Sequence, residues 1–399
     1  MQSGYDVVIA GGGPGGLAAA EAAARGGCRT LVIEQNNEIG SPTRTSGGSF
    51  IRDLDEFGIP AHLYHPITRC RFISPNHEAV FDYPQPIACV IDVRGVYQHM
   101  AERAIAAGVE IWLATTVDSA ILRDGKVCGV RTKNNREVEA SLVIDAAGYR
   151  SPLLRQAGVH AGFQRFGVGA EYDLYAPHCN QDEVVLIVGN QVAPCGYAWY
   201  FPWGRGRVRA GVGIIHGDSR EQPEGYLDRL VENAERFGVN LKGAQPVEYH
   251  HGLIPSDGLL DRFVADGIIG AGDAAGQSSA LLGEGIRWCL QAGRMAGEVA
   301  AEARRAEDFS SGYLSRYERR WKAAHGTNLR IGSMINKRIA RYDDAKWDRR
   351  TELLKLLTPE QFAEALRTNF MSGWVFQVVR RHPKLLAEGF RHILAGQEK

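Results

Sequence analysis

The 399-residue chain has no net charge, because 46 Lys and Arg residues balance 46 Asp and Glu residues. Without a basic excess, no long-range field draws the chain to nucleic acid, so we expect no nucleic-acid partner. The chain also lacks any run of roughly 18 apolar residues, the length that spans a bilayer. With 44% hydrophobic and 23% charged residues, its composition is typical of a soluble globular protein.

Paired cysteines are missing as well. The seven cysteines are odd in number, widely spaced and never form a CxxC pair. This pattern argues against a disulfide framework and against a zinc site. We therefore expect a reduced, cytoplasmic protein without a metal site.

What the chain does have is a glycine-rich loop after its first predicted strand. In GGGPGG, residues Gly11, Gly13 and Gly16 stand in GxGxxG register, with Gly15 beside them, between the strand YDVVIA and an Ala-rich helix. Such glycines permit a tight turn, the approach of a pyrophosphate and close helix–strand packing, and the helix N-terminus favours the phosphate charge. Glu34 ends the second strand, where an acid can bind ribose hydroxyls. The loop predicts a dinucleotide site.

A second glycine-rich segment favours FAD over NAD. DGIIGAGDAAG predicts a short strand ending at Gly272 and Asp273, and a long FAD molecule needs such a second anchor; the alternative is a turn with an N-cap Asp. Gly285 then precedes a helix whose N-terminus would stabilise negative charge on the flavin. Arg94, before a helix predicted over 96–107, could pair with the pyrophosphate, or it is a surface arginine in a turn.

The order of elements predicts an α/β protein. A βαβ unit, a helix and strand, and a hairpin at Asp124-Gly125 indicate a Rossmann-like FAD-binding domain of the glutathione reductase type over 1–150 and 256–305. Short strands over 151–255 predict an inserted antiparallel β-sheet substrate domain. Residues 306–399 predict a helical C-terminal region.

Several of these motifs together resemble a known superfamily. Glu34 with the first glycine loop, DAAGYRS (145–151), GAGDAAG (270–276) and LGEGI (282–286) are similar to the FAD-dependent hydroxylases typified by p-hydroxybenzoate hydroxylase. Within that superfamily, one further motif resembles the PxxYxWxFP motif of the geranylgeranyl reductase family, and it consists of Pro194, Tyr197, Trp199, Phe201 and Pro202.

The resemblance implies that reduced FAD delivers hydride to carbon-carbon double bonds of a prenyl chain on a lipid, quinone or alcohol, held in a long apolar tunnel. It also implies FAD contacts from Glu34, Thr45, Ser46, Gly48, Arg94, Val117, Asp273, Gly285 and Ile286. Many of these reductases have a cysteine in the loop that here reads SPTRTSGGSF. A mechanism that needs a thiol there cannot operate in this chain.

The aromatic motif is the predicted substrate surface. Strand alternation sends Tyr197, Trp199 and Phe201 to one face and Tyr200 to the other. Together with Pro202, the three aromatics are expected to form the roof of a prenyl pocket.

Two other functions share this scaffold. A flavin-dependent halogenase needs an active-site lysine in its N-terminal domain, and this chain has no lysine before Lys126. An FAD-dependent monooxygenase of an aromatic or polyketide substrate stays open, because an apolar pocket alone can protect its oxygen intermediate. A flavin-binding protein without redox function would be odd, since every FAD anchor is kept.

The sequence does not identify a catalytic residue. His250, His251 and Tyr197 are candidate proton donors, but histidine pairs in strands often only pack or cap, and water could supply the proton. No second strand-GxGxxG-helix unit appears, so we expect no resident nicotinamide domain. The electron donor is then NAD(P)H that binds transiently or a ferredoxin, a redox partner protein.

The C-terminal segments NFMSGWVFQVV (369–379) and RRHPKLLAEGFRHIL (380–394) suggest amphipathic helix. Such a helix either covers the sheet or forms a tunnel wall or a lipid-touching face. Peripheral membrane contact is therefore one of two interpretations.

Overall fold

The computed structural model describes residues 4–382, and the helices and strands below lie within that range. The strands, in chain order, are β1 Tyr5–Ala10, β2 Thr30–Ile33, β3 Gly48–Phe50, β4 Tyr64–Ile67, β5 Arg69–Ile73, β6 Glu78–Asp82, β7 Ala88–Ile91, β8 Glu110–Trp112, β9 Val117–Arg123, β10 Lys126–Thr132, β11 Glu137–Asp145, β12 Phe166–Tyr175, β13 Glu183–Ile187, β14 Gly196–Gly204, β15 Arg207–His216, β16 Gln245–Pro255, β17 Val264–Ala265 and β18 Ile268–Gly270.

Helices fill most of the C-terminal third of the chain. In chain order they are α1 Pro14–Arg25, α2 Ile51–Glu56, α3 Val93–Ala106, α4 Pro152–Gln156, α5 Glu224–Glu232, α6 Ile286–Ala306, α7 Ser311–Trp321, α8 Thr327–Ile339, α9 Asp344–Leu354, α10 Pro359–Leu366 and α11 Trp374–Arg381. A π-helical segment, Lys322–Gly326, joins α7 to α8. Among residues 4–382, no helix is long and apolar enough to cross a membrane.

The first sheet has eight strands and a parallel centre. Its order is β17-β18-β11-β1-β2-β8, and the hairpin β9–β10 adds to β11. The middle strands are largely buried, because helices α1 and α6 cover one face of the sheet and strand β10 with helix α4 covers the other. Small residues let α1 cross closely over α6: a Cβ on Gly293 would lie 2.1 Å from the Gly15 carbonyl oxygen. This arrangement confirms the predicted α/β, Rossmann-like FAD fold.

The second sheet has seven strands in the order β16-β12-β15-β14-β13-β5-β6. Its neighbours are antiparallel except β13 and β5. Strands β5 and β6 come from residues 69–82, which the sequence prediction assigned to the first domain. Pairing between segments so far apart leaves no local pattern in the sequence. The predicted domain boundaries stay a prediction. They place β5 and β6 in the first domain, whereas both strands pair within the second sheet.

The C-terminal helices pack against this second sheet. Phe362 of α10 stacks on Phe81 of β6 with ring centroids 3.8 Å apart. Asp348 of α9 accepts a hydrogen bond from the Ser74 hydroxyl at 2.7 Å. The segment 380–394, predicted as amphipathic helix, lies mostly outside the described residues.

The helix predicted over 96–107 begins earlier, at Val93. The Asp92 carboxylate accepts a hydrogen bond from the Gly95 N–H at 3.0 Å and so caps the helix. Arg94 therefore lies in the first turn of α3 and not before it.

Candidate active site

One cavity of about 1370 Å³ runs between the two sheets and the C-terminal helices. Small-molecule pockets commonly measure roughly 300–1,000 Å³. The cavity therefore has room for a second ligand beside a nucleotide cofactor.

The first glycine loop forms one end of this cavity. A Cβ on Gly11 would lie 2.4 Å from the Ala146 carbonyl oxygen, and one on Gly16 would lie 2.0 Å from the Gly11 carbonyl oxygen. A Cβ on Gly13, in contrast, would have no neighbour within 4 Å. Two glycines thus allow close backbone packing, while the third borders free space where a pyrophosphate can approach.

Polar groups around the loop suit a dinucleotide. The Glu34 carboxylate accepts hydrogen bonds from the Gly12 N–H at 2.7 Å and from the Asn36 main-chain N–H at 2.8 Å. Helix α1 has no side-chain cap at its N-terminus, so its first N–H groups can bind phosphate.

The second anchor also lies on the cavity wall. Asp273 is in a 3₁₀ turn, Gly272–Ala275, after β18, and burial raises the pKa of its carboxyl to about 6. Helix α6 starts nearby at Ile286, again without a side-chain cap. Its dipole therefore points positive charge into the cavity.

Most of the predicted FAD residues meet on the cavity wall. Those on the wall are Gly11, Gly13, Gly15, Glu34, Thr45, Ser46, Val117, Gly272, Asp273, Gly285 and Ile286. Gly16, Gly48 and Arg94 lie off it. Gly48 contacts Phe201, since a Cβ there would be 3.0 Å from that ring. Arg94 is more than half exposed and its guanidinium pairs with Glu38, so its FAD contact stays a prediction.

The cavity continues over a strip of glycines on the second sheet. Gly252, Gly169 and Gly213 face one another on β16, β12 and β15, and Tyr197 follows on β14. A Cβ on Gly169 would meet nothing closer than 3.9 Å. The absence of side chains in this row leaves the space that the cavity occupies.

Trp199 belongs to the next row on the same face. Its indole lies across Gly211 of the neighbouring strand, where a Cβ would be 2.3 Å from the ring. The indole N–H reaches Glu171 and donates a hydrogen bond to its carboxylate at 2.7 Å. Glycine at 211 and a carboxylate at 171 thus fix the position of this ring.

The aromatic motif is divided between the two faces of β14. Ring centroids of Tyr197 and Trp199 are 5.4 Å apart, and those of Trp199 and Phe201 are 6.1 Å apart. Tyr200 lies on the other face, where its hydroxyl donates to the Leu230 carbonyl at 2.6 Å. Tyr197 and Trp199 line the cavity, whereas Phe201 and Pro202 do not.

The three candidate proton donors have different surroundings. His250 is buried on the cavity face. Burial alone would lower its pKa, but hydrogen bonds to Glu171 and Glu248 outweigh this and raise the pKa above its ordinary value. His251 is exposed and its ring stacks beside Tyr249, away from His250. The Tyr197 hydroxyl donates to the Leu282 carbonyl at 2.5 Å, and burial raises its pKa.

Arg209 holds the loop that carries Thr45 and Ser46. Its guanidinium donates hydrogen bonds to the main-chain carbonyls of Ser46 at 2.8 Å and Ile91 at 3.0 Å. The buried carboxylate of Asp173 balances its charge at 3.4 Å. The second sheet thereby fixes a loop of the first domain at the cavity wall.

Beyond Trp199 the cavity becomes apolar. Helices α8 to α10 and the strands β5 and β13 supply its walls, which include Phe72, Leu186, Ile335, Ile339, Leu353, Leu354, Phe362 and Leu366. Trp374 at the start of α11 also lines it. Such a chamber suits a long hydrocarbon chain.

Sequence reasoning missed Glu171 and the glycine strip. The signal was present, because Gly167, Gly169 and Glu171 alternate along one predicted strand, as Gly211 and Gly213 do along another. Alternating glycines leave one sheet face bare, which indicates that something other than a core covers it.

Gly169→Leu is expected to block the cavity without unfolding the protein. Its position is open, so a leucine side chain would enter the cavity. We expect substrate turnover to fall by about 100-fold, because a ligand can no longer lie beside Trp199. Gly169→Ala is the control and should retain most activity, since its methyl group has room. Equal activity of the two variants in a steady-state assay would contradict this position for the substrate.

The fold and the cavity define an FAD-dependent oxidoreductase. The free space at Gly13, the two uncapped helix N-termini, the buried carboxylate of Glu34 and the partly buried carboxylate of Asp273 fit an extended FAD. Among residues 4–382, no group of three or more His, Cys, Asp or Glu side chains is placed to hold a metal ion.

Comparison with known proteins gives the family. Residues 6–177 match the model of FAD dependent oxidoreductases, and residues 167–253 match the geranylgeranyl reductase catalytic domain. The chain belongs to the geranylgeranyl reductase family. It is 31% identical to digeranylgeranylglycerophospholipid reductase 2 of Methanopyrus kandleri, over 96% of this chain and 98% of the relative. It is 32% identical to the corresponding reductase of Methanocaldococcus jannaschii, over 96% of both chains.

A solved structure agrees with this assignment. A geranylgeranyl bacteriochlorophyll reductase-like protein from Thermoplasma acidophilum superimposes with a TM-score of 0.85 and 26% identity. The match covers 96% of this chain and 99% of the other.

Proposed function

We propose that this protein saturates the double bonds of geranylgeranyl chains on a glycerophospholipid, using reduced FAD. The observation that supports this is the continuity of one cavity from the FAD anchors, past Tyr197 and Trp199, into the apolar chamber. The names of the relatives supply the lipid class, since both act on digeranylgeranylglycerophospholipid.

Each part of the cavity has a task in this reaction. When bound and reduced, FAD supplies a hydride to one alkene carbon. The glycine loop, Glu34 and Asp273 hold the cofactor, and Trp199 and the chamber hold the chain beside it. The apolar walls exclude water, and packing against them positions the hydrocarbon chain.

The proposed glycerophospholipid head group is tested by comparing substrates that carry the same prenyl chain on different groups. Reduced enzyme is offered a geranylgeranyl glycerophospholipid, free geranylgeraniol and a prenylated quinone in parallel, and kcat/KM is compared. We expect the lipid to be preferred by at least about 10-fold, since interface presentation and head-group contacts add to the common chain binding. Preference for the alcohol or the quinone would redirect the proposal to that substrate.

Electrons for the FAD come from NAD(P)H or from a reduced ferredoxin. The first sheet contains one glycine-loop unit among the described residues, and the cavity it opens into is the one assigned to FAD. A nicotinamide would therefore bind transiently. Rapid-mixing absorbance at the flavin band distinguishes the donors, because only the true donor bleaches the flavin at the rate of turnover.

A membrane-facing surface at α11 would bring the lipid to the cavity. Trp374 lines the cavity, while the nearby side chains of Met371 and Phe376 are 64% and 70% exposed. Arg380 and Arg381 follow on the same helix and can pair with lipid phosphates.

Phe376→Ser is expected to weaken binding to vesicles of anionic phospholipid by about tenfold. Burying one large apolar side chain in the interface contributes roughly 1.5–3 kcal/mol, and the substitution removes that contribution. Co-sedimentation measures it. Ile105→Ser, which changes a 56% exposed residue on α3, is the control and should bind like the wild type. If Phe376→Ser sediments as well as the wild type, α11 is not the membrane face.

A further inference from the structure

Three polar side chains form a connected line on the cavity face of the second sheet. Glu171 of β12 lies directly opposite His250 of β16, and its carboxylate accepts from the His250 Nδ1 side at 3.2 Å. The Nε2 atom of His250 contacts the Glu248 carboxylate at 2.7 Å. The line is continuous from Glu248 to Glu171.

The two ends of this line have different surroundings. The side chain of Glu248 is 54% exposed, while those of His250 and Glu171 are each 5% exposed. Glu171 lines the cavity beside Trp199, whose indole N–H it also accepts. One end therefore faces solvent and the other faces the predicted prenyl chain.

The line also lies next to the loop that faces the flavin. A Cβ on Gly252, two residues after His250, would touch the Arg44 carbonyl oxygen at 2.4 Å. Arg209 also acts on His250 and lowers its pKa, and the Asp173 carboxylate, 3.4 Å from Arg209 and 2.9 Å from Arg207, offsets part of this positive charge. The proton on His250 is thus controlled mainly by Glu171 and Glu248.

We infer that Glu248, His250 and Glu171 form a proton relay from solvent to the cavity, with Glu171 as the catalytic acid at the alkene. This inference rests on the proposed reductase function and deepens it. It identifies a proton donor for a chain that has Thr45 and Ser46, and no thiol, in the flavin-facing loop.

The bonds and charges of the step balance. One alkene carbon accepts the hydride, and with it two electrons, from the reduced cofactor. Protonated His250 first transfers its Nδ1 proton to the Glu171 carboxylate. The new Glu171 O–H bond then breaks, and its proton joins the other carbon through the former π pair, which leaves Glu171 ionised again. Neutral His250 regains a proton from solvent on the side of Glu248.

The Glu171→Gln variant separates the role of Glu171 as a proton donor from its role in holding Trp199 and His250. The Gln amide oxygen can still accept from the Trp199 N–H, and its NH₂ group can donate to His250 Nδ1. The variant therefore keeps both contacts and loses the transferable proton. We expect the rate of alkene reduction by pre-reduced enzyme to fall by about 100-fold, with FAD content and lipid affinity unchanged.

His250 is tested by the pH profile. Because the relay needs protonated His250, the wild-type rate should be level at low pH and decline as pH rises through the raised His250 pKa. His250→Gln should lower the rate and abolish this limb. His178→Gln makes the same change at an exposed histidine that does not line the cavity, and should leave both rate and limb intact.

A second readout does not depend on activity. Histidine-selective nitrogen NMR of the oxidised holoenzyme, assigned by His250→Gln, follows the protonation of His250. Glu171→Gln should move that titration to lower pH, because it removes a negative charge beside the ring. An unmoved titration would overturn the relay.

Different results would contradict the proton relay and the proposed reductase function. If wild-type enzyme reduces no prenyl substrate, the proposed function fails, and the NMR titration still decides whether Glu171 controls His250. If wild-type enzyme is active and Glu171→Gln keeps more than about half of its rate, Glu171 is not the acid. Loss of lipid binding together with rate would equally overturn the inference, because the residue would then only hold Trp199.

Discussion

Gly13→Val is expected to give a stable protein that purifies without FAD. Gly13 is the N-cap of α1 with φ of −80°, a conformation open to any residue, and a Cβ there has no neighbour within 4 Å. The valine side chain would therefore fill the free space and exclude the pyrophosphate. We expect FAD affinity to fall by at least about 100-fold, while the free energy of unfolding of the apoprotein changes by about 1 kcal/mol or less.

Absorbance of the purified protein and titration with FAD measure this result. Gly225→Val, in α5 of the second sheet region, is the matched control and should stay yellow, since its Cβ meets only the Arg229 side chain at 3.8 Å. Gly16→Val should behave differently and fail to fold, because its Cβ would lie 2.0 Å from a carbonyl oxygen. A yellow Gly13→Val protein would show that the cofactor does not pass this residue.

Trp199→Ala has the second large expected effect. The indole is 7% exposed, packs across Gly211 and donates to Glu171, so its removal leaves a void and a buried carboxylate without its donor. Truncation of a buried tryptophan costs roughly 3–5 kcal/mol of stability. The FAD anchors are untouched, and we expect FAD to stay bound while lipid reduction falls by about 100-fold or more.

Two further variants help to interpret the result of Trp199→Ala. Trp199→Phe keeps part of the aromatic wall and loses the N–H group and one ring, so it should retain intermediate activity. Trp112→Ala makes the same truncation on β8, where the indole N–H bonds to Glu110 at 2.6 Å, and should remain fully active. If Trp199→Ala lost FAD together with its fold, the tryptophan would be a core residue and not a substrate wall.

The sequence predicted the FAD fold because each of its parts has a local pattern. The glycine loop at Gly11, the acid at Glu34 and the turn at Asp273 combine a fixed spacing with a strand or helix next to them. The alternation in β14 likewise predicted that Trp199 and Tyr200 lie on opposite faces.

The features that the sequence did not predict depend on pairing between strands that are distant in the chain. Nothing near Glu171 indicates that His250 lies opposite it, since 79 residues separate them. The pairing of β5 and β6 with the second sheet was not predicted for the same reason, because their partner β13 is distant in the chain. The FAD contact of Arg94 stays a prediction, whereas its ion pair with Glu38 joins residues 56 positions apart and has no local pattern in the sequence.

The central claim is that reduced FAD saturates a prenyl chain held in this cavity. The most direct test is a single turnover of anaerobically reduced enzyme with geranylgeranyl glycerophospholipid, followed by mass spectrometry of the lipid. We expect the flavin to become yellow again and the lipid to gain two hydrogen atoms, and no oxygen, for each FAD oxidised. A lipid that is unchanged under these conditions and gains an oxygen atom only when air is admitted would contradict it and identify a monooxygenase.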